Sequence, residues 1–317
     1  MKLVKTPCNF CNSDDYTPII QVMVSPIHDT SWLVRCNKCG LAYVNPKPAL
    51  ERERELYDCE YFKPEEEALW REYRFPLFER FFSRIESTIP SSASGGTGPE
   101  LERFRAGPKG RLLDVGCGKG YFLDMARKRG WQVAGVDVSS TAVQFARHTL
   151  GLEVYRGELR DVGLPEGSFD VATSWNALDQ SYDPWSDLRE TFKALKRGGL
   201  IALRVSNLHF HYNLQRLFNL TNSIIPESLR ITAPTVFHIY MFSPGTLRMF
   251  LKEAGFVDIR VGNSILDPNV PALLEFAGKL AEVLLRNTTY FLAQTTYYLS
   301  LGSLLISPSL VAFAKKP

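Results

Sequence analysis

The sequence predicts an α/β protein built on a doubly wound, Rossmann-like sheet with a small appendage at each end. Strand and helix patterns alternate between about residues 111 and 261, and the first strand runs into a glycine-rich turn that opens a helix. Two Cys-x-x-Cys pairs near the N-terminus set that end apart from the rest.

The glycine stretch, Arg111 to Gly120, reads Arg-Leu-Leu-Asp-Val-Gly-Cys-Gly-Lys-Gly. Leu112, Leu113 and Val115 suit a strand buried on both faces, and Gly116, Gly118 and Gly120 follow at once. Tyr121 to Arg129 lacks proline and glycine, carries Phe122, Leu123, Met125 and Ala126, and stops at Gly130 behind basic residues, as a helix does. This order brings backbone N–H groups and a helix N-terminus close to a ligand, because glycine has no Cβ to hold it off.

Spacing selects the ligand. A dinucleotide fingerprint, G-x-G-x-x-G, needs its third glycine where Tyr121 stands. Asp114 lies two residues before the first glycine, where a carboxylate can meet an ammonium group. The second strand, Trp131 to Val136, ends in Asp137, 21 residues after Gly116, and an acid there can accept from both ribose hydroxyls. An ammonium group with an unphosphorylated ribose points to S-adenosyl-L-methionine.

From about Arg111 to Val261 the chain resembles class I S-adenosylmethionine-dependent methyltransferases, whose first motif, D-x-G-x-G-x-G, is Asp114-Val115-Gly116-Cys117-Gly118-Lys119-Gly120 here. The resemblance implies a seven-stranded methyltransferase sheet, with Glu158 accepting from the adenine amino group and Val138 and Leu159 sandwiching the ring. The family more often has aspartate at the place of Glu158. Ordinary packing is the alternative for Val138 and Leu159, and Cys117 is a small residue inside the turn. Tyr61 and Phe62 take the place of a flap over the cofactor, or else join the N-terminal appendage to the core.

The fourth strand, Ser168 to Ser174, leads into Trp175-Asn176-Ala177-Leu178-Asp179-Gln180, which faces the methyl group because ligands lie beyond the carboxyl ends of the strands. Many relatives carry H-x-x-E-H here; this chain has Asn176, Asp179 and Gln180. A sulfonium methyl is already electrophilic, so a base is needed only where the acceptor has a proton to lose. Asp179 is the first candidate, and His238, before Phe242-Ser243, is the second, with a structural hydrogen-bonding role as its alternative. Asn176 shares the turn of Asp179, and His209 and His211 rank lower.

The remaining elements follow in order. Cys8-x-x-Cys11 and Cys36-x-x-Cys39 are separated by 24 residues, and four thiolates from two tight turns suit a structural zinc ribbon over 1–48. Loss of the metal, or disulfide pairs, is the alternative. Residues 49–100 form a helical flap and linker: Glu65 to Ile89 is helical, Pro76 should kink or break it, and Ser91 to Pro99 is flexible. Within the 101–262 core come a helix from Ser140 to Leu150 and a third strand from Leu152 to Tyr155. A helix from Asp187 to Lys196 then precedes a strand from Leu200 to Val205, a helix from Ser243 to Ala254 and a strand from Phe256 to Val261.

Residues 263–317 hold a helical insertion and the last strand, Ser309 to Ala314. Ala272 to Arg286 is an amphipathic helix, and Asn287 to Ala314 carries no charge. The insertion is a lid on the acceptor pocket, a subunit contact in a homo-oligomer, or a surface resting on a membrane through 272–306; a lid needs no second partner.

Composition is that of an ordinary globular protein: 317 residues, 22% charged, 45% hydrophobic, net charge +3, with no basic bias that implies nucleic acid. Met1 to Lys5 leads into Thr-Pro-Cys rather than an apolar run, which makes the cytoplasm the default location. The reading is a methyltransferase acting on a small molecule or saccharide. Its alternatives are an S-adenosylmethionine-binding protein without turnover, suggested by the missing histidines, and an NAD-dependent oxidoreductase, disfavoured by Tyr121 and Asp114.

Overall fold

The structure is a computed structural model that describes residues 3–24, 29–49, 64–88, 109–224, 238–264 and 304–317, with 288, 295, 296, 299 and 300. Tyr61, Phe62, the 91–99 linker and the 272–286 helix lie outside the described residues. In chain order the elements are β1 (Leu3–Val4), β2 (Tyr16–Val24), β3 (Asp29–Cys36), β4 (Ala42–Val44), β5 (Lys47–Pro48) and α1 (Pro64–Thr88). Next come β6 (Arg111–Val115), α2 (Tyr121–Lys128), β7 (Gln132–Asp137), α3 (Ser140–His148), β8 (Val154–Arg156), α4 (Leu159–Val162) and β9 (Phe169–Trp175). The chain continues through α5 (Pro184–Ala194), β10 (Leu195–Ser206), α6 (Leu208–Ile224), β11 (Tyr240–Met241), α7 (Pro244–Glu253), β12 (Val257–Asn263) and β13 (Ser309–Lys315).

Seven strands form the main sheet in the order β12-β13-β10-β9-β6-β7-β8. Only β13 in this sheet runs antiparallel to its neighbours, β10 and β12. The chain winds outward from β6 through β7 to β8, then returns to place β9 on the other side of β6. That reversal opens a crevice beyond the carboxyl ends of β6 and β9.

Apolar residues on both faces of the strands explain the layered core. On one face Phe81 and Phe82 of α1, Phe122 of α2 and Val143 of α3 pack against Leu112, Val171 and Phe313. On the other, Leu188 of α5 and Leu247 and Phe250 of α7 pack against Leu113, Ala172, Leu203 and Ala312.

Several boundaries differ from the sequence expectation. Helix α1 continues through Pro76. The proline costs about 3 kcal/mol in a helix interior, and burial of Leu77, Phe78, Phe81, Phe82 and Ile85 against the sheet outweighs it. Helix α5 starts three residues early, because Asp183 caps it by accepting from Ser186 N at 3.0 Å and Pro184 fits its first turn. It also stops early, at Ala194: Leu195 is fully buried and pairs with Phe169, and an irregularity between Leu195 and Leu200 absorbs Gly198 and Gly199 into β10. The third strand shifts to Val154–Arg156 to follow β7 from Gly135 to Asp137.

The N-terminal region forms a second sheet in the order β11-β4-β3-β2. Its β11 comes from the far part of the chain, so this sheet is completed by the core and crosses the boundary expected at residue 48. Among the described residues, no helix is long and apolar enough to cross a membrane.

Candidate active site

The glycine turn after β6 is shaped by close packing. Gly116, Gly118 and Gly120 have φ of 74°, 53° and 79°. A Cβ on Gly116 would come within 2.2 Å of Ala177 Cβ, so the turn after β6 and the turn after β9 touch only because Gly116 has none. Gly116 N and Cys117 N both donate to Val136 O, at 2.8 and 3.1 Å, which ties the turn to β7. Cys117 is buried behind it: a Cβ on Gly135 would lie 2.6 Å from the Cys117 sulfur, and burial pushes the thiol well above its usual range. Gly120 is the N-cap of α2 and offers no side chain to cap it.

Three acids stand at the ends of the three strands on this side. Asp137 closes on the turn itself, its Oδ2 accepting from Gly118 N at 2.7 Å and its Oδ1 from Ser139 N at 2.9 Å. Asp114 is almost fully buried, and its Oδ1 accepts from Thr173 Oγ1 at 2.7 Å. Burial lifts its carboxyl to about 8, with the Thr173 bond pulling down and the Asp137 charge pushing up. Glu158 stands at the start of α4, only 10% exposed and paired with Arg160. Beside it Leu159 is buried and Val138 half-buried.

The ends of β9 and β10 form a second group. The Trp175 indole packs into the core, stacked on Phe81 at 4.2 Å and edge-on to Phe122, with Nε1 buried and without a partner among the described residues. Asn176 adopts φ 56°, and its Oδ1 accepts from Arg204 Nη1 at 2.6 Å. Arg204 is buried and also donates to Ser264 Oγ at 2.9 Å, so the Asn176 amide oxygen is engaged in holding a guanidinium. Asp179 is fully buried. Its Oδ2 accepts from Ser206 N at 2.7 Å, its backbone oxygen accepts from Tyr240 N at 2.9 Å, and its Oδ1 has no partner among the described residues.

His238 is half-buried just before β11. His211, on α6, has Nε2 3.1 Å from Pro308 O, and burial, with His238 nearby, pushes it down to about 4. It is therefore neutral at ordinary pH.

The structure thus brings Asp114, Gly116, Cys117, Gly118, Gly120, Asp137, Val138, Glu158 and Leu159 to one rim of the sheet. Asn176 and Asp179 lie at the adjacent strand ends. Sequence reasoning missed Thr173, Ala177 and Arg204. The pairing of Thr173 with Asp114 is a register fact of β6 and β9. The sequence sign it could have used was polar Thr173-Ser174 closing an otherwise apolar strand.

At the N-terminus the four sulfurs of Cys8, Cys11, Cys36 and Cys39 lie within 4.8 Å of one another, with Cys8–Cys39 and Cys11–Cys36 at 3.5 Å. Thiolates bound to one zinc at about 2.3 Å stand roughly 3.8 Å apart, so this donor set fits a tetrahedral zinc site with all four positions filled by protein.

A family model described as "Methyltransferase domain" matches residues 70–261, more than half of the chain. The chain belongs to the class I S-adenosylmethionine-dependent methyltransferase family. This methyltransferase is 37% identical over 105 residues to a ubiquinone biosynthesis O-methyltransferase of Alkalilimnicola ehrlichii, covering 31% of this chain and 42% of that one. It is 29% identical over 185 residues to the nocamycin O-methyltransferase of Saccharothrix syringae, covering 53% and 66%. The match spans about half the length, or less, of several such curated relatives. Among solved structures, an S-adenosylmethionine-dependent methyltransferase from Thermotoga maritima superposes with a TM-score of 0.47 at 16% identity, covering 84% of this chain and 100% of that one.

Gly116→Ala is expected to destabilise the methyltransferase by at least about 2 kcal/mol, since the new methyl meets Ala177 at a backbone angle that L-residues avoid. Denaturant unfolding measures the loss, and calorimetry should show S-adenosyl-L-methionine affinity falling with it.

Proposed function

We propose that this methyltransferase transfers the methyl group of S-adenosyl-L-methionine to a small-molecule or saccharide acceptor by in-line displacement. The observation that carries this reading is the Asp137 carboxylate held against Gly118 N, with buried Asp114 at the neighbouring strand end. When bound, the cofactor supplies an electrophilic sulfonium methyl. Asp114 holds the ammonium group of the ligand, Asp137 the ribose hydroxyls and Glu158 the adenine amino group, while Val138 and Leu159 flank the ring. The O-methyltransferase names of the ubiquinone-pathway and nocamycin relatives support a small-molecule acceptor that gives up a proton from oxygen.

Asp179 takes that proton at Oδ1. Its other oxygen is tied to Ser206 N, which fixes the carboxylate, and a buried oxygen with no partner among the described residues is stabilised when a hydroxyl donates to it. Zinc at the four cysteines cross-links the N-terminal sheet and takes no part in the chemistry, because a closed tetrahedral site leaves no open position.

Calorimetry should show binding of S-adenosyl-L-methionine and none of NAD; the reverse outcome sinks the assignment. Below pH 8 Asp114 is protonated in the free protein, and meeting an ammonium group ionises it. Binding should therefore release a proton at pH 6–7 and tighten as pH rises toward 8, and Asp114→Asn should flatten both trends. For folding the sign is opposite. A value raised from 3.8 to about 8 contributes stability that is full below about 4 and is lost as pH climbs to 8.

With an acceptor identified by release of S-adenosylhomocysteine, Asp179→Asn should slow turnover by about 10²–10⁴-fold at unchanged cofactor affinity. An unaltered rate would remove Asp179 from the mechanism. Elemental analysis should find one zinc per chain. Its removal by a strong chelator should speed hydrogen exchange in β2, β3 and β4, and a metal-free protein with the same protection would contradict the structural role.

A further inference from the structure

The two residues between Cys8 and Cys11 are Asn9 and Phe10, and both reach into the core. Asn9 Nδ2 donates to Asp183 Oδ1 at 2.8 Å, and Asn9 Oδ1 accepts from Trp185 N at 3.0 Å. Phe10 stacks on Phe250 at 4.6 Å and meets Trp185 edge-on at 4.9 Å. The knuckle therefore seats on the N-terminus of α5 and satisfies one of its first N–H groups.

Asp183 does not end there. Its second oxygen, Oδ2, accepts from Arg160 Nη1 at 3.1 Å, and Arg160 Nη2 pairs with Glu158 Oε2. Four side chains thus run from the cysteine knuckle to the end of β8: Asn9, Asp183, Arg160, Glu158. Asp183 is pinned twice, by Asn9 and by its cap to Ser186 N. Arg160 is 40% exposed and long, so the pinned Asp183 on one side confines what would otherwise be a mobile guanidinium, which then pairs with Glu158 on the other. Lys47 of the same N-terminal region also donates to Tyr182 O at 3.0 Å, gripping the residue before Asp183.

We infer that Asn9 is a positioning residue for purine selection: through Asp183 and Arg160, the cysteine knuckle sets the orientation of the Glu158 carboxylate at the adenine edge. This rests on the proposed role of Glu158. A carboxylate that accepts from a 6-amino group rejects a 6-oxo purine, because two acceptors then face each other, and the rejection is only as sharp as the carboxylate is well held.

The test measures binding of S-adenosylhomocysteine and its 6-oxo counterpart, S-inosylhomocysteine, to the full chain and to four variants. The unsubstituted protein should prefer the adenine ligand by roughly tenfold or more. Glu158→Gln, which can donate to the 6-oxo group, should erase that preference. Asn9→Ala should lower the ratio about three- to tenfold with zinc still at one per chain, Arg160→Ala should do the same, and the double variant should fall no further.

A ratio untouched by Glu158→Gln means the adenine role itself is wrong, and the inference goes with it. A ratio changed by Glu158→Gln but untouched by Asn9→Ala and Arg160→Ala overturns the inference alone. Where Asn9→Ala loses zinc or fails to fold, Arg160→Ala decides by itself: the wild-type ratio overturns, a lowered ratio supports.

Discussion

The contact between Gly116 and Ala177 governs the top of the sheet. Two turns, one after β6 and one after β9, can lie side by side only where neither carries a bulky side chain at the point of touch. That closeness sets the cofactor turn against the turn that bears Asn176 and Asp179. A methyl donor and its acceptor must meet within a few ångströms and in line, so the packing of these two backbones comes before any particular side-chain chemistry.

Below that contact lies a layer of buried polar groups, each costly to bury and held by specific hydrogen bonds. Asp114 leans on Thr173, Arg204 on Asn176 and Ser264, Asp179 on Ser206 N, and Asn207 on the backbone oxygens of Leu305 and Ser307. The layer joins β6, β9, β10 and the approach to β13 at one level of the sheet. A carboxyl raised to about 8 at Asp114 and an oxygen of Asp179 with no partner among the described residues are its two unsettled points. Both are the kind of local disadvantage that a bound ligand relieves, and both sit where the proposed reaction places charge or a proton.

The cysteine-bearing sheet packs on the core beside the loop after β9. Core strand β11 completes it, Asn9 and Phe10 seat on α5, and Lys47 lies 3.6 Å over the Tyr182 ring while donating to the Tyr182 carbonyl. This small region gains order from its own buried residues Val22, Leu33, Ala42 and Val44, from a metal-sized thiol cluster and from the body it packs on. Its contribution is to hold Tyr182 and Asp183, residues that belong to the loop after β9.

Local signals in the chain were enough for the winding of the sheet, the glycine turn and the thiol cluster. Each is written in a few neighbouring residues: apolar runs of strand length, Gly-x-Gly-x-Gly behind Asp114, Cys-x-x-Cys twice. The ends of α5 and β10 are not legible locally, because Leu195 looks like the close of a helix until its burial against Phe169 is known. Pro76 looked like a break for the same reason, since its neighbours' burial is invisible locally. What only the tertiary structure decided is which distant residues share a bond: Asp114 with Thr173, Asn176 with Arg204, Asn9 with Asp183. Sequence spacing specifies backbone shape within one element and its turn, whereas these pairs depend on strand register and on how two sheets dock, which side chains 28 to 174 positions apart jointly settle.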